Sequence, residues 1–130
     1  MRYAYTVAQT RALEAAAMAV VGDAALMQRA AHGLSVRSAD LLARTRGTRY
    51  GARVVILVGP GNNGGDALYA GQRLARRGCA VTAVRTLGPP HAAGLAALLA
   101  AGGRLVEGEA FGDHDQVDPC LLYTSPSPRD

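Results

Sequence analysis

Val54-Val55-Ile56-Leu57-Val58-Gly59-Pro60-Gly61-Asn62-Asn63-Gly64-Gly65-Asp66 decides how this chain folds. Residues 54–58 are β-branched or aliphatic with no polar alternation, as in a parallel strand buried on both faces. They predict a central strand. Beyond Asp66 the apolar residues Ala67, Leu68, Ala70, Gly71, Leu74 and Ala75 recur three and four apart, with Gln72, Arg73, Arg76 and Arg77 on the other side. That pattern is an amphipathic helix, and Gly78 supplies its stop. Between strand and helix lies a glycine-rich loop over 59–66. In an open α/β sheet the carboxyl end of a strand is where ligands bind.

Working outward, Thr6 followed three residues later by Gln9 is a capping box, which opens a helix over about 7–18. Gly22-Asp23 breaks and recaps the chain, and 24–42 reads as a second, longer helix. Residues 44–53 form a polar connector into the central strand. After Gly78 come a strand over 80–86, a Leu-Gly-Pro-Pro loop ending at Pro90, a helix over 91–101 closed by Gly102-Gly103, and a short strand over 104–106. Strand, helix, strand, helix, strand in this order gives right-handed crossovers and a parallel sheet. The expected fold is a three-layer, Rossmann-like α/β arrangement with helices on both faces, incomplete at its C-terminus. From Pro119 the text is Pro-Cys-Leu-Leu-Tyr-Thr-Ser-Pro-Ser-Pro-Arg-Asp. Three prolines among ten residues forbid a regular element there, and the segment resembles translated adapter sequence more than native protein, so 119–130 is left out of the expected fold. A sheet of three strands with nothing after it also looks cut short.

The composition, 49% hydrophobic and 18% charged over 130 residues, is that of one globular domain with a real core. No apolar run is long enough to span a bilayer and no apolar signal core opens the chain, so the cytoplasm is the default and no membrane partner is expected. Cys79 and Cys120 lack metal or redox spacing, and Cys79 reads as a small core residue. The charge of +4 comes from fourteen Arg and no Lys. These arginines are scattered rather than striped with aromatics, which speaks against nucleic acid as a partner. Without lysine there is no Schiff base and no Walker lysine. His32 has no partner at ligand spacing, and Asp113, His114, Asp115 and Asp118 read as a solvated turn more readily than as a metal cluster.

Gly59, Gly61 and Gly64 fit G-x-G-x-x-G between a strand and a helix, the dinucleotide fingerprint. The acid expected about twenty positions on is missing, and Arg85 occupies that neighbourhood, so an ordinary NAD-dependent oxidoreductase fits poorly. Asp66, expected in the first turn of the helix, would repel a pyrophosphate seated there. The conflict disappears if a cation lies between them, or if the carboxylate holds a hydroxyl while the phosphates follow the glycine amides. Asn62 and Asn63 supply hard carbonyl oxygens and amide donors for such a ligand. The plainer alternative is a tight Asn-Asn-Gly-Gly turn with Asp66 as a helix cap. Two asparagines, four glycines and a proline exceed what a turn needs, which favours ligand binding.

The string Gly-Pro-Gly-Asn-Asn-Gly-Gly-Asp after Val-Val-Ile-Leu-Val closely resembles the signature of the NAD(P)H-hydrate epimerase family, or YjeF N-terminal domain. The opening Tyr-Thr-Val-Ala-Gln-Thr-Arg-Ala-Leu-Glu and the later Gly-Asp-Ala-Ala-Leu-Met-Gln-Arg-Ala-Ala agree with it. The wording looks most like actinobacterial members, with the domain over 1–118 and a non-native-looking tail over 119–130. The resemblance implies an isomerase that interconverts the R and S forms of hydrated NADH or NADPH. It implies that Asn62, Asn63, Gly64, Gly65 and Asp66 contact that substrate and that a potassium ion is held by Asn63 and by Asp118. It also implies an ADP-dependent dehydratase in the parent protein, and a homodimer accords with it. Epimerisation at a hemiaminal carbon needs a general acid/base, and Asp66 is the one carboxylate in the loop that could serve. A non-catalytic nucleotide- or partner-binding module of the same fold stays open. The reading requires room beside Asp66 for sugar or phosphate; it collapses if Asp66 faces inward, sealed away with no room beside it.

Overall fold

The computed structural model describes residues 4–108 and, as backbone alone, 120–123. Four helices and four strands follow one another among them: α1 Val7–Val21, α2 Asp23–Arg46, β1 Arg53–Val58, α3 Gly61–Arg76, β2 Ala80–Arg85, α4 Ala92–Ala100, β3 Arg104–Glu107 and β4 Cys120–Tyr123. The strands form one sheet in the order β3-β2-β1-β4, and every pairing is parallel. The fold is α/β and Rossmann-like, with β1 in the interior of the sheet as its unbroken apolar sequence requires.

Alternate residues of β1 face the helices. Val54, Ile56 and Val58 join Leu68 and Leu74 of α3, Val81 and Ala83 of β2, Leu42 of α2 and Leu98 of α4 in a single buried cluster. Side chains two apart on a strand share a face, so Val55, buried outside that cluster, belongs to the opposite side. α2 and α4 both pack on α3, which in turn lies on β1 and β2. Gly71 makes the approach close: a Cβ there would stand 2.6 Å from Ile56 Cδ1.

The ends of the elements follow local chemistry. Thr6 and Gln9 form the capping box at the start of α1, each side chain bonded to the other's backbone N–H. α3 stops in a Schellman motif, with Cys79 N–H donating to the Leu74 carbonyl and Gly78 N–H to that of Ala75. Gly78 takes φ 93° to close it. Cys79 is buried, its thiol donating to the Arg49 carbonyl at 3.2 Å. His32 is exposed on α2.

Three expectations need correction. α2 runs to Arg46 rather than ending near Leu42, because Ala43, Arg44 and Arg46 are good helix formers and the first αL glycine, Gly47, lies beyond them. α2 also begins one residue before the expected Ala24, at Asp23, with Gly22 as its N-cap. Residues 120–123 form a strand beside β1, although the prolines spoke against a regular element. The prolines flank this segment at Pro119, Pro126 and Pro128, so Cys120-Leu121-Leu122-Tyr123 keeps all its backbone donors, and it pairs with the edge of β1 opposite β2. Among the described residues no helix is long and apolar enough to cross a membrane.

Candidate functional site

β1 hands over to α3 within two residues. Pro60 is the N-cap of α3, in extended conformation at φ −72° and ψ 167°, and makes no side-chain cap bond. Gly61 takes φ 83°, which a residue with a Cβ rarely adopts. Gly61, Asn62 and Asn63 therefore open a helix whose N-cap residue contributes no side-chain bond, at the carboxyl end of a central strand.

The sequence reading placed 59–66 in a loop and Asp66 in the first helical turn. Both are corrected: α3 already begins at Gly61, its first turn holds no acidic residue, and Asp66 sits one turn further in, about 7 Å along the axis at 1.5 Å per residue. The glycines explain the difference. A Cβ on Gly64 would collide with the Gly59 carbonyl oxygen, and one on Gly65 would lie 3.0 Å from His91 Cγ and 3.1 Å from the Met27 sulfur. Gly64 and Gly65 are thus packing residues of a helix jammed between β1, α2 and α4. With Gly61 held at positive φ, three of the four glycines credited to a ligand have a structural cause.

Asn62 and Asn63 are half-buried in the first turn. Asp66 is 7% exposed. Its Oδ1 is buried and accepts no hydrogen bond from a described residue, although the residue itself is engaged in an interaction. Asp66 and Arg73 are seven apart and so share a face of α3. Arg73 Nη2 donates to Gln28 Oε1 of α2 at 3.2 Å, which turns that face toward α2. Asp66 is thus largely buried on α3, with 7% of its surface left exposed.

His91 was not singled out by the sequence beyond opening a helix. It is the N-cap of α4, its Nδ1 accepting from Gly94 N–H at 3.0 Å, and its ring meets Tyr69 edge-on at 6.1 Å. With Nδ1 as acceptor, the neutral ring carries its proton on Nε2. A polar residue after Pro89-Pro90 and ahead of an alanine-rich helix was the available signal.

The acid missing from the end of β2 stands one strand away. Arg85 donates to Glu107 Oε2 of β3 from Nε at 2.9 Å and from Nη2 at 2.8 Å. Thr86 holds this corner to β1, its N–H and hydroxyl donating to the Val58 carbonyl at 3.1 and 3.0 Å. Among the described residues no group of three or more His, Cys, Asp or Glu side chains gathers as a metal site. Asp118, with Asp113, His114 and Asp115, lies outside the described residues.

The family described as YjeF-related protein N-terminus matches residues 23–122 of the chain. The bifunctional NAD(P)H-hydrate repair enzyme Nnr of Mycobacterium tuberculosis is 50% identical over 110 residues, 82% of this chain and 23% of that protein. The NAD(P)H-hydrate epimerase of Clavibacter michiganensis is 41% identical over 114 residues, 88% of this chain and 46% of the relative. An NAD(P)H-hydrate epimerase of Bordetella pertussis shares 56% identity over a 39-residue stretch, 30% of this chain and 17% of its own length. The chain thus spans about a quarter of the mycobacterial relative and just under half of the Clavibacter one. With 100 residues inside the family match and half of the aligned positions shared with a mycobacterial member, the chain belongs to the YjeF-related N-terminal family.

Proposed function

We propose that the chain carries the site of an NAD(P)H-hydrate epimerase, an isomerase that interconverts the R and S forms of hydrated NADH and NADPH in coenzyme repair. The observation that carries the reading is the start of α3 at the carboxyl end of β1, where Gly61, Asn62 and Asn63 form the first turn and the N-cap Pro60 makes no side-chain bond. Such a terminus suits a pyrophosphate, and the asparagine side chains suit ribose and phosphate oxygens. The names of the relatives supply the substrate class.

In this proposal Asn62, Asn63, Gly64 and Gly65 seat the dinucleotide. Asp66 protonates the hydroxyl on the hemiaminal carbon, the C–O bond breaks to release water and leave a cation shared with the ring nitrogen, and a water that forms the new C–O bond on the other face returns its proton to the carboxylate. Burial of Asp66 allows a second role, anchoring the first turns of α3 from beneath, and with it a second reading as a non-catalytic binding module. The two separate cleanly, because proton transfer lies in kcat and anchoring lies in binding and stability.

The oxygen-only donors proposed for potassium suit a hard cation. Asn63 would contribute its side-chain carbonyl and Asp118 its carboxylate. Bound there, the ion would supply positive charge between the carboxylates and the substrate phosphates. A cytoplasmic location, a homodimer and a dehydratase domain elsewhere in the parent protein complete the proposal.

The test starts from one purified epimer of hydrated NADPH and follows the R to S ratio by chromatography. Faster approach to equilibrium than in buffer supports the enzyme. A rate equal to that of buffer, with binding retained, leaves the binding module.

A further inference from the structure

The carboxyl ends of β2 and β3 open a groove with a free volume of about 650 Å³, lined by Arg85, Thr86, Glu107 and Gly108. Nothing assigned to Asp66 uses it. Register sets Val58, Arg85 and Glu107 side by side on three neighbouring strands, each about 4.8 Å from the next. Val58 runs directly into the Gly59-Pro60 step that starts α3, so Arg85 stands one strand from the proposed pyrophosphate seat. That is where the ribose following a pyrophosphate comes to rest in a doubly wound sheet.

The groove sets one cationic side chain, Arg85, beside one anionic one, Glu107. Arg85 presents two donors to the single oxygen Oε2 of Glu107, which fixes the plane of the guanidinium and leaves its Nη1 edge turned away from the carboxylate. Both side chains remain accessible, at 40% and 59% exposure. A Cβ on Gly108 would press to 3.1 Å from the Arg85 carbonyl oxygen, so the glycine lets β3 end flush against β2 below the groove.

We propose that Arg85 reads the 2′ position of the adenosine ribose and takes a 2′-phosphate, so that the chain favours the NADPH-derived form of its hydrated substrate. This rests on the start of α3 being the dinucleotide seat. An acid at the end of the second strand would accept from a free 2′-hydroxyl; an arginine there matches a phosphate, whose oxygens fit its planar fork. Glu107 orients Arg85 and at the same time competes with the incoming dianion for it.

The test uses two probes that lack the nicotinamide and differ only at the 2′ oxygen, ADP-ribose and 2′-phospho-ADP-ribose, titrated against the full chain by calorimetry. The wild type should prefer the phosphorylated probe by about tenfold or more, the worth of a charge-assisted hydrogen bond. Arg85→Gln should remove that preference while leaving ADP-ribose within about twofold, and Arg85→Lys, which keeps the charge without the fork, should restore part of it. Glu107→Gln should tighten the phosphorylated probe. Equal affinities in the wild type, equal losses on both probes in Arg85→Gln, or weaker binding of the phosphorylated probe in Glu107→Gln would each overturn the assignment. If neither probe binds the wild type, the seat on α3 fails with it; binding without discrimination removes the ribose assignment alone.

Discussion

Gly64 lies so close to the Gly59 carbonyl that no side chain can stand between them. The contact folds the first turns of α3 down onto the end of β1 and so sets the height at which Asn62 and Asn63 are presented. A residue that the sequence places in a glycine-rich loop is a fixed packing point under the candidate site.

Gly64→Ala should therefore destabilise the chain by about 1–3 kcal/mol, since the obstacle is backbone that cannot turn aside. Gly33 offers the contrast, exposed within α2 with nothing within 4 Å of an added Cβ. Gly33→Ala should stabilise by about 0.4–1 kcal/mol through loss of unfolded-state entropy. Urea denaturation of the two variants should give shifts of opposite sign.

His91→Ala removes the acceptor that caps α4 and should cost about 0.5–2 kcal/mol. His91→Asp restores a capping oxygen and should recover most of that loss. Thermal unfolding of both variants checks the role, and equal destabilisation by Asp and Ala would show that the imidazole acts through its contacts with Gly65 and Tyr69 instead.

Asp66→Asn keeps the size of the side chain and removes its ability to carry the proton. If Asp66 transfers the proton, the epimerisation kcat should fall by about 10²–10⁴-fold with KM and the unfolding midpoint nearly unchanged. A raised KM with kcat intact would assign Asp66 to the anchoring of α3.

If Asn63 and Asp118 hold potassium, exchanging it for tetramethylammonium at constant ionic strength should weaken binding of the hydrated coenzyme, because the larger ion cannot be coordinated by their oxygens. Asn63→Ala should abolish the difference between the two salts. Calorimetric titration in each buffer measures it.

Three of the four strands were legible because each is a short run bounded by glycines: 54–58 announces a strand buried on both faces, and Gly78 and Gly102-Gly103 mark where α3 and α4 end. Thr6 and Gln9 gave the start of α1 through hydrogen bonds local to four residues. The start of α3 was misread because glycine disfavours helix in isolation, whereas here tertiary contacts of Gly64 and Gly65 with Gly59, His91 and Met27 outweigh that preference. Burial of Asp66 depends on how α2 crosses α3, and the Arg85–Glu107 pair on which strands are neighbours. Neither is written in local sequence. The strand over 120–123 escaped notice because the flanking prolines were counted together with the proline-free residues between them.

Amide chemical shifts of isotope-labelled chain, recorded while hydrated NADPH is added, test the central claim most directly. The largest changes should fall on the N–H and side-chain amide signals of Gly61, Asn62, Asn63 and Gly64, and Asn62→Ala/Asn63→Ala should remove them. Saturable shifts confined to other parts of the chain, with the start of α3 unmoved, would contradict the account.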